Sequence, residues 1–194
     1  MKLVEASRTE VHAYVIFGDG QMDERIFSAI ASKFDHEITV SNPLSAHKTG
    51  LSAAFKAVTE LAERVRPSFN YLIIIDQEHV RGEELKRLAG EYGFELQNFT
   101  KINDFAYKLR ARRGGKIANI YIAVNGFERG IEENIVKLIE KLYGEKLEAS
   151  KRDIRRWLRS KNKSDRELIE SFSRELLEET FPGIVAVIKS LVKS

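Results

Sequence analysis

The sequence predicts an α/β fold, a mostly parallel sheet flanked by helices and followed by a helical C-terminal extension. Three observations predict it. Apolar runs rich in β-branched and aromatic residues alternate with stretches of helical periodicity as far as Tyr143. The run Tyr71-Leu-Ile-Ile-Ile75 is continuously apolar, as expected of a central parallel strand covered on both faces. Beyond Gly144 no strand pattern remains.

The elements follow in order. Val11 to Phe17 reads as a buried strand ended by the turn Gly18-Asp19-Gly20. Met22 to Phe34 is a helix, with Met22, Ile26, Phe27 and Ile30 on one face. Glu37 to Ser41 is a second strand closed by Asn42-Pro43. Gly50 to Arg66 is an amphipathic helix that Pro67 stops. After Tyr71–Ile75 come a helix from Gly82 to Tyr92 and a strand from Phe94 to Phe99. The basic stretch 100–116 reads as irregular or partly helical, with a turn at Gly114-Gly115. Ile117 to Val124 is the last strand, and a helix runs from Gly130 to Tyr143. Strands alternating with helices favour right-handed parallel crossovers. In the tail, Asp153–Ser160, Ser164–Glu179 and Pro182–Val192 read as three helices, Ser164-x-x-Glu167 having capping-box spacing. The division is therefore an α/β domain over 1–144 and a helical extension over 145–194, packed on the same domain.

Composition narrows the function classes. Of 194 residues, 43% are hydrophobic, enough for a sizeable core, and 31% are charged. No run approaches the ~18–20 apolar residues of a membrane span, and the first residues lack a signal peptide's apolar region. There are no cysteines, which removes disulfide partners and thiolate metal sites and fits a cytoplasmic location. Three prolines with abundant Lys, Arg and Glu are compatible with a thermophile's ion-pair-rich surface. Net charge is only +3, but cations cluster at 101–116 and 146–166 and imply a polarised surface.

In a parallel sheet, ligands bind beyond the carboxyl ends of the strands. Asp19, Asp23 and Glu24 follow the first strand. Asp76, Gln77, Glu78 and His79 follow the third, and Asn125, Glu128, Glu132 and Glu133 follow the last. Acids at three strand ends suit a hard cation, since Mg²⁺ takes one or two protein carboxylates plus waters. In an extended chain, Asp76 and Glu78 point the same way and can face one ion. Each feature also has a structural reading: Asp19-Gly20 as a turn, Asp76 as a helix cap, Glu132 and Glu133 as first-turn acids.

These residues resemble the motifs of the Toprim family, the catalytic domain shared by topoisomerases, primases and nucleases of the overcoming-lysogenization-defect group. The family's first motif is a strand followed by Glu-Gly and an acid opening a helix, and Val15-Ile-Phe-Gly-Asp19-Gly20-Gln-Met-Asp23-Glu24 is similar, with Asp for Glu. The second is an apolar strand ending in Asp-x-Asp, and Ile73-Ile-Ile-Asp76-Gln-Glu78 is similar, with Glu for the second Asp. Ile131-Glu-Glu133-Asn-Ile compares with an acid that small members carry after the last strand. The resemblance spans residues 11 to 140 and leaves the tail unexplained. It implies a Toprim/Rossmann-like fold and a Mg²⁺ or Mn²⁺ site of Asp76 and Glu78. Asp19 would be a further ligand or general acid/base, with Glu133 beside them.

Among the cations, Lys48 precedes a helix and is either a phosphate contact at that helix's N-terminus or an exposed loop lysine. Lys108, Arg110, Arg112 and Arg113 are the candidates for a nucleic-acid backbone. Trp157 among Arg155, Arg156 and Arg159 is either a nucleic-acid contact or the anchor of its helix. No nucleophile elbow and no Gly-x-Gly-x-x-Gly is present, so acyl transfer and dinucleotide cofactors have no support. Three readings stay open: a metal-dependent nuclease-like enzyme, a catalytically silent nucleic-acid or protein-binding module, and a doubly wound domain for a small phosphorylated ligand.

Overall fold

The computed structural model describes residues 1–4, 11–18, 21–34, 37–42, 50–64 and 68–193. The strands are β1 (Lys2–Val4), β2 (Ala13–Phe17), β3 (Thr39–Ser41), β4 (Ser68–Asp76), β5 (Glu95–Asn103), β6 (Ala106–Arg113) and β7 (Lys116–Asn125). The helices are α1 (Gln21–Ser32), α2 (Leu51–Arg64), α3 (Gly82–Glu91), α4 (Ile131–Tyr143), α5 (Lys151–Ser160), α6 (Asp165–Glu170), α7 (Arg174–Thr180) and α8 (Pro182–Val192). A 3-10 turn, Gln77–His79, follows β4.

All seven strands form one sheet in the order β1-β3-β2-β4-β7-β6-β5. The run from β1 to β7 is parallel, and β7, β6 and β5 form an antiparallel meander. The fold is therefore α/β with a mostly parallel sheet, as the alternation of elements predicts. β2 leads through α1 to β3 on one side, and β3 through α2 to β4 on the other. Strand order thus reverses between β2 and β4.

Side chains alternate between the two faces. Leu72, Ile74, Tyr121 and Ala123 lie in one core cluster with residues of α1, α4 and the tail helices. Tyr71, Ile73, Ile75, Ile120 and Ile122 lie in the other with α2 and α3. Burial on both sides explains why β4 reads as an unbroken apolar run. The tail belongs to the first cluster. α8 lies directly on β7, β6 and β5, while α4 packs against α5 and α7, and α6 against α1. At Gly183 the approach is so close that a Cβ would stand 2.5 Å from the Val124 carbonyl oxygen and 2.6 Å from that of Phe105. Trp157 is the anchor of its helix: it is buried, its Nε1 donating to Glu145 at 2.8 Å, while Arg155, Arg156 and Arg159 are exposed.

Two expectations need correction, and one strand went unread. The stretch 100–116 is not irregular or helical: β5 continues to Asn103 and β6 fills 106–113. Its alternation is real, with Leu109 and Ala111 buried on one face, but the cations between them obscure it. The helix expected over Ser164–Glu179 is two, because Phe172 turns into the core and Ser173 caps α7 by accepting the Leu176 N–H. Ser164 and Glu167 do form the capping box. β1, only three residues long, left no periodicity to read. Among the described residues no helix is long and apolar enough to cross a membrane.

Candidate functional site

Strand order brings the first two motif segments together. β2 and β4 are neighbours, and the Gly18 N–H donates to the Ile74 carbonyl at 2.8 Å. Asp76 pairs in register with Asn125 of β7, so three strand ends meet at this edge. Asp19 and Lys48 lie outside the described residues.

Asp76 is 8% exposed. Its Oδ1 accepts the Ile131 N–H at 3.0 Å, so it caps α4 from across the site, where Gly130 offers no side chain. The helix dipole favours an anion at that position. Gly130 is what admits the carboxylate, since a Cβ there would lie 2.5 Å from Asp76 Oδ2. Asp23, in the first turn of α1, is 2% exposed, and its Oδ1 accepts from Asn125 Nδ2 at 3.4 Å. Asp23 and Asp76 therefore both border Asn125, giving an oxygen-rich, nearly water-excluded cluster. Oxygen donors of this kind fit a hard divalent cation, and buried carboxylates call for compensating charge or hydrogen bonds.

Glu78 has different surroundings. The chain leaves extended geometry at Gln77, so the alternation that would aim Asp76 and Glu78 at one ion does not apply. The Glu78 side chain is 56% exposed, with Oε1 3.5 Å from His79 Nε2. Glu133 is held by the loop after β7: its Oε2 accepts the N–H groups of Phe127, Glu128 and Arg129 at 2.7, 2.9 and 3.1 Å. Burial pushes its carboxyl up, but these three donors outweigh burial and hold it below the usual range. Among the described residues, no group of three His, Asp or Glu side chains is gathered tightly enough to hold a metal.

The loop itself is firmly fixed. Asn134 Oδ1 accepts the Gly126 N–H at 2.6 Å while its Nδ2 donates to the Thr180 carbonyl at 2.7 Å. The Glu78 N–H donates to the Arg129 carbonyl at 2.9 Å, tying the loop to the turn after β4. Gly126, at φ +83°, takes the left-handed conformation that favours glycine.

The expected cations separate. Arg113 lies on the α3 side of the sheet, its Nε donating to the Tyr92 carbonyl at 3.1 Å and Nη1 to Glu63 at 3.0 Å. Lys108, Arg110 and Arg112 lie on the opposite face. Their cross-strand partners Tyr121, Asn119 and Ile117 lead away from Asn125, so these cations are not beside Asp76. No protein-family model matches the sequence, and neither a curated protein nor a solved structure matches the chain.

Two buried polar residues carried a signal that strand-end position alone does not give. Asp23 falls on the apolar face of α1 with Ile26, Phe27 and Ile30, and Asn134 on that of α4 with Ile131, Ile135 and Leu138. A polar side chain at a core-facing helical position needs a partner, and both have one.

Proposed function

We propose that this protein binds Mg²⁺ or Mn²⁺ at the carboxyl edge of the sheet and acts there on nucleic-acid phosphodiesters as a nuclease-like enzyme. The observation that supports the reading is the pair of buried carboxylates, Asp23 and Asp76, meeting at Asn125 beside the β2–β4 reversal of strand order. Asp76 and Asp23 would hold the cation, with Asp19, Glu78 and Glu133 in the neighbouring positions that the Toprim resemblance suggests. A divalent ion in such a site supplies Lewis-acid polarisation of a phosphodiester oxygen. Around it, Asn125 orients Asp23, and the Ile131 N–H fixes one oxygen of Asp76.

A second reading, a catalytically silent nucleic-acid or protein-binding module, is favoured by one specific observation. Asp76 Oδ1 and Glu133 Oε2 are both engaged by backbone N–H groups, which is what purely structural carboxylates do. Calorimetric titration of Mg²⁺ and Mn²⁺ into wild type and Asp76→Asn separates the two. The asparagine oxygen still accepts the Ile131 N–H, so α4 keeps its cap while the charge is lost. Binding to wild type that disappears in Asp76→Asn is the expected result. Equal titrations for the two proteins remove Asp76 from any metal site and leave the binding module.

A further inference from the structure

The face of the sheet that carries α8 is only partly covered. Tyr121 on β7 is fully buried, whereas Asn119, two residues nearer the start of the strand, is half-buried. On neighbouring β6, Arg110 and Arg112 are exposed, and on β5 so is Asn98, the partner of Arg110. Helical cover thus ends between Tyr121 and Asn119, and beyond it the sheet carries Asn119, Arg110, Arg112 and Asn98, with half-buried Ile117 beside Arg112.

That surface is ordered from strand to strand. Arg110 pairs with Asn119, and Asn119 with Asn70 of β4. Asn119 Nδ2 donates to Asn70 Oδ1 at 3.1 Å, and Asn70 Nδ2 to the His12 carbonyl at 3.1 Å. Lys108 Nζ lies 4.9 Å from the Tyr121 ring centroid at the border of the covered part. Among the described residues neither Arg110 nor Arg112 is in an ion pair, whereas Arg113 is bound by Glu63 and Lys101 by Asp104. Glu95, the cross-strand neighbour of Arg112, is the one acid on this part of β5. Phe99 and Tyr107 pack into the cluster on the other side and Tyr121 is buried, so among the described residues no exposed aromatic is offered here for base stacking.

We propose that this open face of β4, β7, β6 and β5 binds the phosphodiester backbone of nucleic acid through Arg110 and Arg112, independently of any cation at the carboxyl edge. Charge complementarity selects a polyanion. Cations on one face of a strand recur every second residue, about 6.8 Å apart, and so present regularly spaced charge to a regularly charged chain. The side-chain amides add neutral donors for phosphate oxygens, and without stacking groups the binding is indifferent to sequence. Six residues separate Asn119 from Asn125 along β7, about 20 Å, with α8 between, so this surface is not the wall of the carboxylate site. The inference goes beyond the metal reading and stands without it.

Fluorescence anisotropy in EDTA, with a labelled oligonucleotide as single strand and as duplex, tests it. Wild type is expected to bind at least one form, the tighter arm naming which. The pair Arg110→Gln/Arg112→Gln is expected to weaken binding roughly ten-fold or more and to lower the salt slope by about 1.5. The control pair Arg152→Gln/Arg155→Gln removes equal charge from the exposed side of α5 and is expected to bind as wild type. The proposal is overturned by equal losses in the two pairs, by unchanged binding in the β6 pair, or by no wild-type binding in EDTA. Because the titration is made in EDTA, cation binding at the carboxyl edge does not enter it, and failure of the metal reading leaves this result intact.

Discussion

Glu133 sits in the first turn of α4, and its carboxylate reaches back to three N–H groups of the preceding loop. Its carboxyl is held below the ordinary value in the folded protein. A depressed folded pKa contributes stability that is fully present above the unfolded value and is lost as pH falls through the folded one. Glu133→Gln is therefore expected to be less stable than wild type at neutral pH, with the gap closing below about pH 4. Urea unfolding of both proteins across that range checks it, and a gap that persists in acid would show that charge is not the cause. Spacing marks Glu133 only as a first-turn acid, because helical periodicity says nothing of a loop folding back on the helix it precedes. The burial of Asp23 is more legible, since an acid among Ile26, Phe27 and Ile30 can only be facing the core.

α8 joins the sheet through a glycine, and a second helical glycine gives the contrast. At Gly183 an added methyl meets carbonyl oxygens of the β5–β6 turn and β7, which cannot move without breaking the meander. At Gly90 in α3 nothing lies within 4 Å of the added carbon. Gly183→Ala is expected to destabilise by about 1–3 kcal/mol or to displace α8. Gly90→Ala is expected to stabilise by about 0.5–1 kcal/mol through helix propensity. Thermal denaturation of the two variants reads opposite signs if α8 seats as described. Long elements such as β4 and α4 were legible because one period runs through many residues. β6 was not, since Lys108, Arg110 and Arg112 fill its outward positions and make an alternating strand look like a basic loop. The break between α6 and α7 turns on Phe172, a tertiary contact invisible to local pattern.

Seen whole, the molecule separates its charges along the strands, with buried carboxylates at one end of β4 and β7 and the exposed arginines Arg110 and Arg112 towards the other. The fold class was legible because alternating elements and a doubly buried strand allow few architectures. Of the candidate site, the meeting of the strand ends was legible, since β2 and β4 needed only a parallel sheet to become neighbours. Which cations accompany it was not, because linear proximity does not say on which face of β6 a side chain emerges.

β7 has hydrogen-bonded neighbours on both sides, parallel β4 and antiparallel β6, and α8 across one face. Its backbone hydrogens therefore cannot meet solvent through local fraying, only through opening of the whole sheet. Deuterium uptake followed by mass spectrometry is expected to be slowest in β7 and fastest in the border strands β1 and β5. Because β7 reports global opening, a ligand that binds only the folded protein at its Asn125 end slows uptake equally at Asn119. The two ends of the sheet are then coupled through the stability of one strand, with no displacement passed between them.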